Sequence, residues 1–153
     1  MPDVFDTERF WQFSLKTYEK HGVKECCLSL QDSYGVDVNL LLLCHWLDSQ
    51  EQVLSRQTLD DLIALSTNWQ TKALVPLREK RATLAKGSEA YGFALTEELK
   101  AERQEQRALL ALLNLADMSD EQQPFTQNTN CIAYADAARF PPGMLTPLFK
   151  GQH

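Results

Sequence analysis

The ten residues from Val38 to Leu47 constrain this chain more than any other stretch. They read VNLLLLCHWL, with Leu40 to Cys44 apolar without a break and Trp46 and Leu47 beyond His45. Asp37 stands just before them, and its carboxylate suits the free N–H groups of an opening helical turn. The pattern predicts a helix from Asp37 to about Ser49. A helix apolar almost all round has no face to give to water, so other elements must enclose it. A membrane span needs about 20 apolar residues, so this shorter segment is read as the centre of a core. With 153 residues, 44% of them hydrophobic, the chain is long enough for one such core and too short for two comfortable domains.

The flanking sequence supplies the enclosing helices. Phe10, Trp11, Ser14, Leu15 and Tyr18 recur at helical spacing after a cap at Asp6 or Thr7, and Gly22 follows. A short helix over about Lys24 to Ser33 carries Cys26, Cys27, Leu28 and Leu30, and Gly35 ends it. Thr58 with Asp61 resembles a capping box for a long fourth helix. Its stripe runs Leu59, Leu62, Ile63, Ser66, Trp69, Ala73, Leu77, Leu84, with a kink or break expected near Ala73 to Val75 because Pro76 removes a helical donor. Gly87 ends that element, and Gly92 is placed in the loop that follows. A fifth helix is expected from Thr96 to about Ala116. Its first half, EELKAERQEQR, is polar on every side and reads as projecting into solvent or toward a partner.

After Ser119 the character changes. Pro124, Pro141, Pro142 and Pro147 fall among Gln- and Asn-rich spacers, with one short helix expected over about Asn130 to Arg139. The closing FPPGMLTPLFKGQH is read as neither helix nor central strand. Phe140, Met144, Leu145, Leu148 and Phe149 are too apolar for water, and wrapping around the domain is favoured over docking on a partner. No alternating run suggests a sheet. The expectation is an all-α, single-domain bundle of about five helices over residues 1–118, with an irregular, Pro-containing tail over 119–153.

Several function classes are excluded or disfavoured. Ordinary apolar content and the lack of low-complexity bias exclude a collagen-like or wholly disordered chain. A net charge of −6 and a pI near 5.0 disfavour a general nucleic-acid binder. There is no P-loop, G-x-S-x-G or G-x-G-x-x-G, and no EF-hand spacing. The opening MPDVFDTERFWQF lacks the features of a secretory leader, and Cys26, Cys27, Cys44 and Cys131 read as reduced thiols, which together predict a cytoplasmic protein. A zinc site from Cys26, Cys27, Cys44 and His45 is not expected, because neighbours on a helix point about 100° apart. No cofactor, metal or catalytic residue is assigned.

Gln31, Asp32, Asp37 and Asn39 crowd a tight helix–helix connection. They either converge on a ligand or cation, or serve as caps and turn partners, and the second reading is the more usual. From Lys72 to Lys86, five cations face the single acid Glu79. Such a strip is usually a solvated face. Arg78 and Arg81, three apart, would instead be able to reach inward to Asp32 or Asp37.

The segment FWQFSLKTYEKHGVKECCLSLQDSYGVDVNLLLLCHW, 10–46, resembles an uncharacterised family of short proteobacterial proteins. The shared pattern is F-W-x-F-S-L-x-x-Y, G-V, C-L-x-L-Q-D and G-x-D-V-N-L-L-L, and WQTKALVPLREKRATL, 69–84, is similar to a later P-L-R-x-x-R element. The resemblance covers about the first 85 residues and hardly touches the tail. It implies a bacterial cytoplasmic protein and assigns no catalytic role. Its motifs hold Gln31, Asp32, Asp37, Asn39, Arg78 and Arg81, which are therefore taken together as one candidate polar cluster. The functional expectation is a non-enzymatic protein-interaction or adaptor module, with self-association or a protein partner and no membrane. The alternative is a small-molecule or ion-binding protein, with or without enzymatic activity, built on that cluster.

Overall fold

A computed structural model describes residues 5–116 and 127–150. Among them there is no strand, and seven helices have eight residues or more: α1 (Thr7–Tyr18), α2 (Val23–Tyr34), α3 (Val38–Ser49), α4 (Arg56–Trp69), α5 (Val75–Ala82), α6 (Glu89–Leu115) and α7 (Thr129–Ala138). A four-residue turn, α8 (Thr146–Phe149), closes the described chain. The expected count of about five is too low, because the long fourth helix is divided and the tail adds elements of its own. The expected boundary at 118 and 119, and Pro124, lie outside the described residues. No helix among those described is long and apolar enough to cross a membrane.

α3 occupies the middle. Every residue from Asn39 to Asp48 is buried, and the helix touches α1, α2, α4, α6 and α7. Asp37 caps it, accepting the Asn39 N–H at 2.9 Å through Oδ1. Phe10 stacks on Trp46 at 5.2 Å, so α1 is fixed to α3 by ring packing as well as by its aliphatic stripe.

The division of the fourth helix follows from Pro76. An α-helix would need its N–H for the ladder, and instead the five residues Gln70–Leu74 form a π turn in which Val75 N–H reaches Gln70 O. The widened turn advances the inward face by one residue. Leu74 is therefore fully buried where the uninterrupted stripe required Ala73. Two starts were also misplaced. Ser55, not Thr58, caps α4, accepting the Thr58 N–H at 3.0 Å. Ser88 caps α6 by accepting the Tyr91 N–H at 3.1 Å, so Gly92 lies within that helix and not in a loop.

α6 does not project from the fold. It packs on α1, α3, α4 and α5. The apolar seam of Leu113 and Leu109 continues back through Glu105, Ala101, Glu98 and Ala94, all buried. Those steps of four and three are helical, and the face reads as polar only because two of its members are carboxyl groups.

Residues 127–150 join the same core. Phe140, Leu145 and Leu148 are buried against it, and the Cys26 thiol donates to Met144 O at 3.0 Å. The closing stretch is helical after all, as a 3-10 turn at Pro142–Leu145 followed by α8. Pro142 and Pro147 fall in first-turn positions, where a missing N–H costs nothing. α7 has no side-chain cap of its own at Asn128. Asp48, at the end of α3, takes that role from across the interface, accepting Asn130 N–H at 2.8 Å and Cys131 N–H at 3.1 Å. Burial raises the Asp48 pKa, and these two donors oppose the rise. Asp48→Ala is expected to cost about 2 kcal/mol and Asp48→Asn about half that, measured by urea denaturation, because the amide keeps one acceptor oxygen.

Candidate functional site

A cavity of about 290 Å³ opens where α1, α2, α3, α5 and α6 meet, at the small end of the range for ligand sites. Five of the six residues singled out from the sequence line it: Gln31, Asp37, Asn39, Arg78 and Arg81. Asp32 does not. It sits one position along α2 from Gln31 and faces outward, exposed. The inward partners expected for Arg78 and Arg81 were Asp32 or Asp37, whereas the structure gives them acids on α6. Arg81 Nε donates to Glu98 Oε2, and Arg78 lies 4.0 Å from both Glu98 and Glu102. The π turn makes this possible, because it brings Gln70 round to accept from Arg78 Nη1 at 2.9 Å. Lys72, Lys80 and Lys86 stay exposed, so the basic strip divides into inward guanidiniums and outward ammoniums.

Below the arginines lies a buried hydrogen-bond network. Asn39 Nδ2 donates to Glu102 O at 3.0 Å and to Glu105 Oε1 at 2.8 Å. Its Oδ1 accepts from Gln106 Nε2 at 3.0 Å, and the same nitrogen donates to Ser14 Oγ at 3.1 Å. Ser14 Oγ in turn donates to Phe10 O at 2.9 Å. Asp37 is held from three sides. Ser66 Oγ donates to its Oδ2, the Asn39 N–H to its Oδ1, and its own N–H donates to Tyr134 Oη at 3.0 Å. A second cavity, lined by Ser66, Thr71 and Tyr134 among others, shares Gln70 with the first.

Glu105 is wholly buried beside Asp37. Burial first, and then the hydrogen bond and charge of Asp37, push its pKa up to about 10. Two carboxyl groups this close share one proton between them and titrate as a pair. Burial also raises the Glu102 pKa, which Arg78 only partly opposes. Tyr18, on the α1 wall, is pushed up to about 12, again chiefly by burial. At the mouth, the Arg103 guanidinium lies 5.0 Å over the Trp11 ring while its Nη2 donates to Glu8 Oε2 at 2.6 Å. Trp11 is thereby held as a fixed edge of the opening.

The sequence reading missed the α6 contribution altogether. Glu98, Glu102 and Glu105 lie at steps of four and three with Gln106 next to Glu105, and the seam leading back from Leu113 was the signal that pointed to Glu98 and Glu105. The cysteines do not join the site. Cys27, Cys44 and Cys131 are buried with thiol pKa values raised by desolvation, and no metal-holding group of three His, Cys, Asp or Glu occurs among the described residues.

A family model described as a protein of unknown function, DUF2390, matches residues 9–109, a span that includes every residue lining the first cavity. No curated protein and no solved structure matches the chain. With about two thirds of its length matched, the chain belongs to the DUF2390 family.

Proposed function

We propose that this protein binds a small molecule in the cavity between α1, α2, α3, α5 and α6, and that binding rather than catalysis is its role. The observation that carries this reading is a half-open cavity where charged side chains of α5, α6 and the α3 cap converge below an apolar rim. Leu15, Leu28 and Leu99 form that rim, each only about half exposed at 43%, 39% and 51%. Such a combination, an apolar mouth over a few placed polar groups, is the usual build of a ligand site. Most carboxyl and amide atoms at the base are engaged in bonds that hold the fold, which suits a rigid receptor better than a general acid or base.

The test is a panel of small aromatic and aliphatic probes added to the full chain, read by amide chemical shifts. Changes should cluster at Trp11, Tyr18, Leu42 and Glu102, and Val38→Trp, which fills the cavity wall, should remove them while leaving the helical circular dichroism intact. Changes scattered over the surface, or unaltered in Val38→Trp, would defeat the proposal. The adaptor reading retains one specific support, the face of α6 that leaves Phe93 65% exposed. Sedimentation across a concentration series would show self-association through that face, and Phe93→Asp would abolish it.

A further inference from the structure

We infer that the ligand is a small organic cation, a protonated amine on an apolar body, whose N–H groups meet Glu102 and Gln106. This inference rests on the small-molecule reading above and concerns the charge of what the cavity accepts.

The balance of charge is the first observation. The lining carries four carboxyl groups, Asp37, Glu98, Glu102 and Glu105, of which Glu105 is held neutral by burial, leaving three against the two guanidiniums of Arg78 and Arg81. The guanidiniums are already committed. Arg81 is hydrogen-bonded to Glu98, and Arg78 is bonded to Gln70 with Glu98 and Glu102 on its flanks. An incoming anion would have to break those pairs and then lie against Glu102. Glu105 keeps its proton and Asp37 is consumed by Ser66 and the α3 cap, so Glu102 is the carboxylate left for a ligand. It reaches Arg78 only at 4.0 Å, beyond hydrogen-bond length.

The second observation is independent of charge. Gln106 is 1% exposed, lines the cavity, and has an Oε1 without a hydrogen-bond donor. The amide cannot be turned round to cure this. Its Nε2 donates to Asn39 Oδ1, whose own nitrogen is fixed by two acceptors, so a reversed Gln106 would set oxygen against oxygen. A buried acceptor without a donor is costly, and an N–H from a ligand satisfies it. A bare metal ion fits poorly, because no three metal-ligating side chains come together among the described residues. The rim of Leu15, Leu28 and Leu99 instead asks for carbon.

The experiment compares three probes of one shape on the full chain by calorimetry and amide shifts: phenethylamine, phenethyl alcohol and phenylacetate. The amine is expected to bind at least about tenfold more tightly than the other two. Glu102→Gln should remove that advantage, bringing the amine down to the affinity of the alcohol in the same variant, and its circular dichroism should match the parent. Raising salt from about 50 to about 500 mM should weaken the amine alone. If the acid binds best, or the alcohol equals the amine, or the preference survives in Glu102→Gln, the cation assignment is wrong and the small-molecule site stands. If none of the three perturbs the cavity at millimolar concentration, both readings fall together.

Discussion

Glu105→Gln is expected to make this protein more stable than the parent at alkaline pH, by an amount that grows with pH. The Glu105 carboxyl has an ordinary pKa of 4.5 in the unfolded chain and one raised to about 10 in the fold. Between those values the native state holds a proton that the unfolded state has released. Stability therefore falls as pH rises, by up to about 1.4 kcal/mol per pH unit from this group alone. His45 acts in the opposite sense. Its folded pKa is lowered to about 4, by burial first and then by Lys20, so its contribution rises with pH up to its ordinary 6.5. The two slopes oppose one another in mildly acidic solution, and above about pH 6.5 the Glu105 decline runs without that counterweight. A glutamine has nothing to titrate. Its amide nitrogen donates toward Asp37 as the carboxyl proton does, and its oxygen still accepts from Asn39 Nδ2. The variant should match the parent to within about 1 kcal/mol near pH 6.5 and exceed it by on the order of 2–3 kcal/mol near pH 8.5. Urea denaturation of both proteins across that range gives the difference directly, since every other titrating group is common to both. Parallel curves would mean that Glu105 is ionised in the fold.

The same residue shows where sequence reasoning loses its hold. α3 was legible because a helix without a polar face admits only one location, and Asp37 was legible because a cap acts on the residues next to it. The break before α5 was also legible, since Pro76 lacks its donor whatever surrounds it. Glu98 and Glu105 were not. A buried carboxyl is tolerable only if its partners arrive, and these come from Arg81 and Asn39, 17 and 66 residues distant. In sequence the segment EELKAERQEQR looks the same whether or not those partners exist. The π turn had a similar effect at shorter range. One extra residue per turn rotates all that follows by roughly a quarter-turn or more, so the pairing of Arg78 and Arg81 with α6 could not be read from an unbroken helix. Asp48 fails for the reverse reason. It looks like the ordinary polar end of α3, and its capping of α7 exists only because the chain returns to α3 some 82 residues later. Of the candidate site, the half written in α2, α3 and α5 was visible from residue type and spacing. The half contributed by α6 depended on long-range electrostatics.

Asp37→Ala is the substitution expected to cost most, about 3–5 kcal/mol in unfolding free energy. A helix cap by itself contributes about 1 kcal/mol, and Asp37 does supply one to α3 through the Asn39 N–H. It is also 3% exposed and accepts from Ser66 Oγ, itself buried, while receiving the proton-bearing carboxyl of Glu105. Alanine leaves all three groups without an acceptor inside the protein, and each such orphan costs about 1–3 kcal/mol. Asparagine separates the contributions. It caps helices as well as aspartate, and its amide can donate to the Ser66 oxygen once that hydroxyl turns, so Asp37→Asn should cost only about 1–2 kcal/mol. It should also lower the pKa of Glu105, because one of the causes holding that pKa high is the charge on Asp37. The decline of stability above neutral pH should then begin to level off at a lower pH than in the parent. Equal and small losses for the alanine and asparagine variants would reduce Asp37 to a cap and would remove it from the network beneath the cavity. A large loss for alanine, a small one for asparagine, and an earlier end to the alkaline slope would together show that a single buried proton joins α3 to α6 at the base of the site.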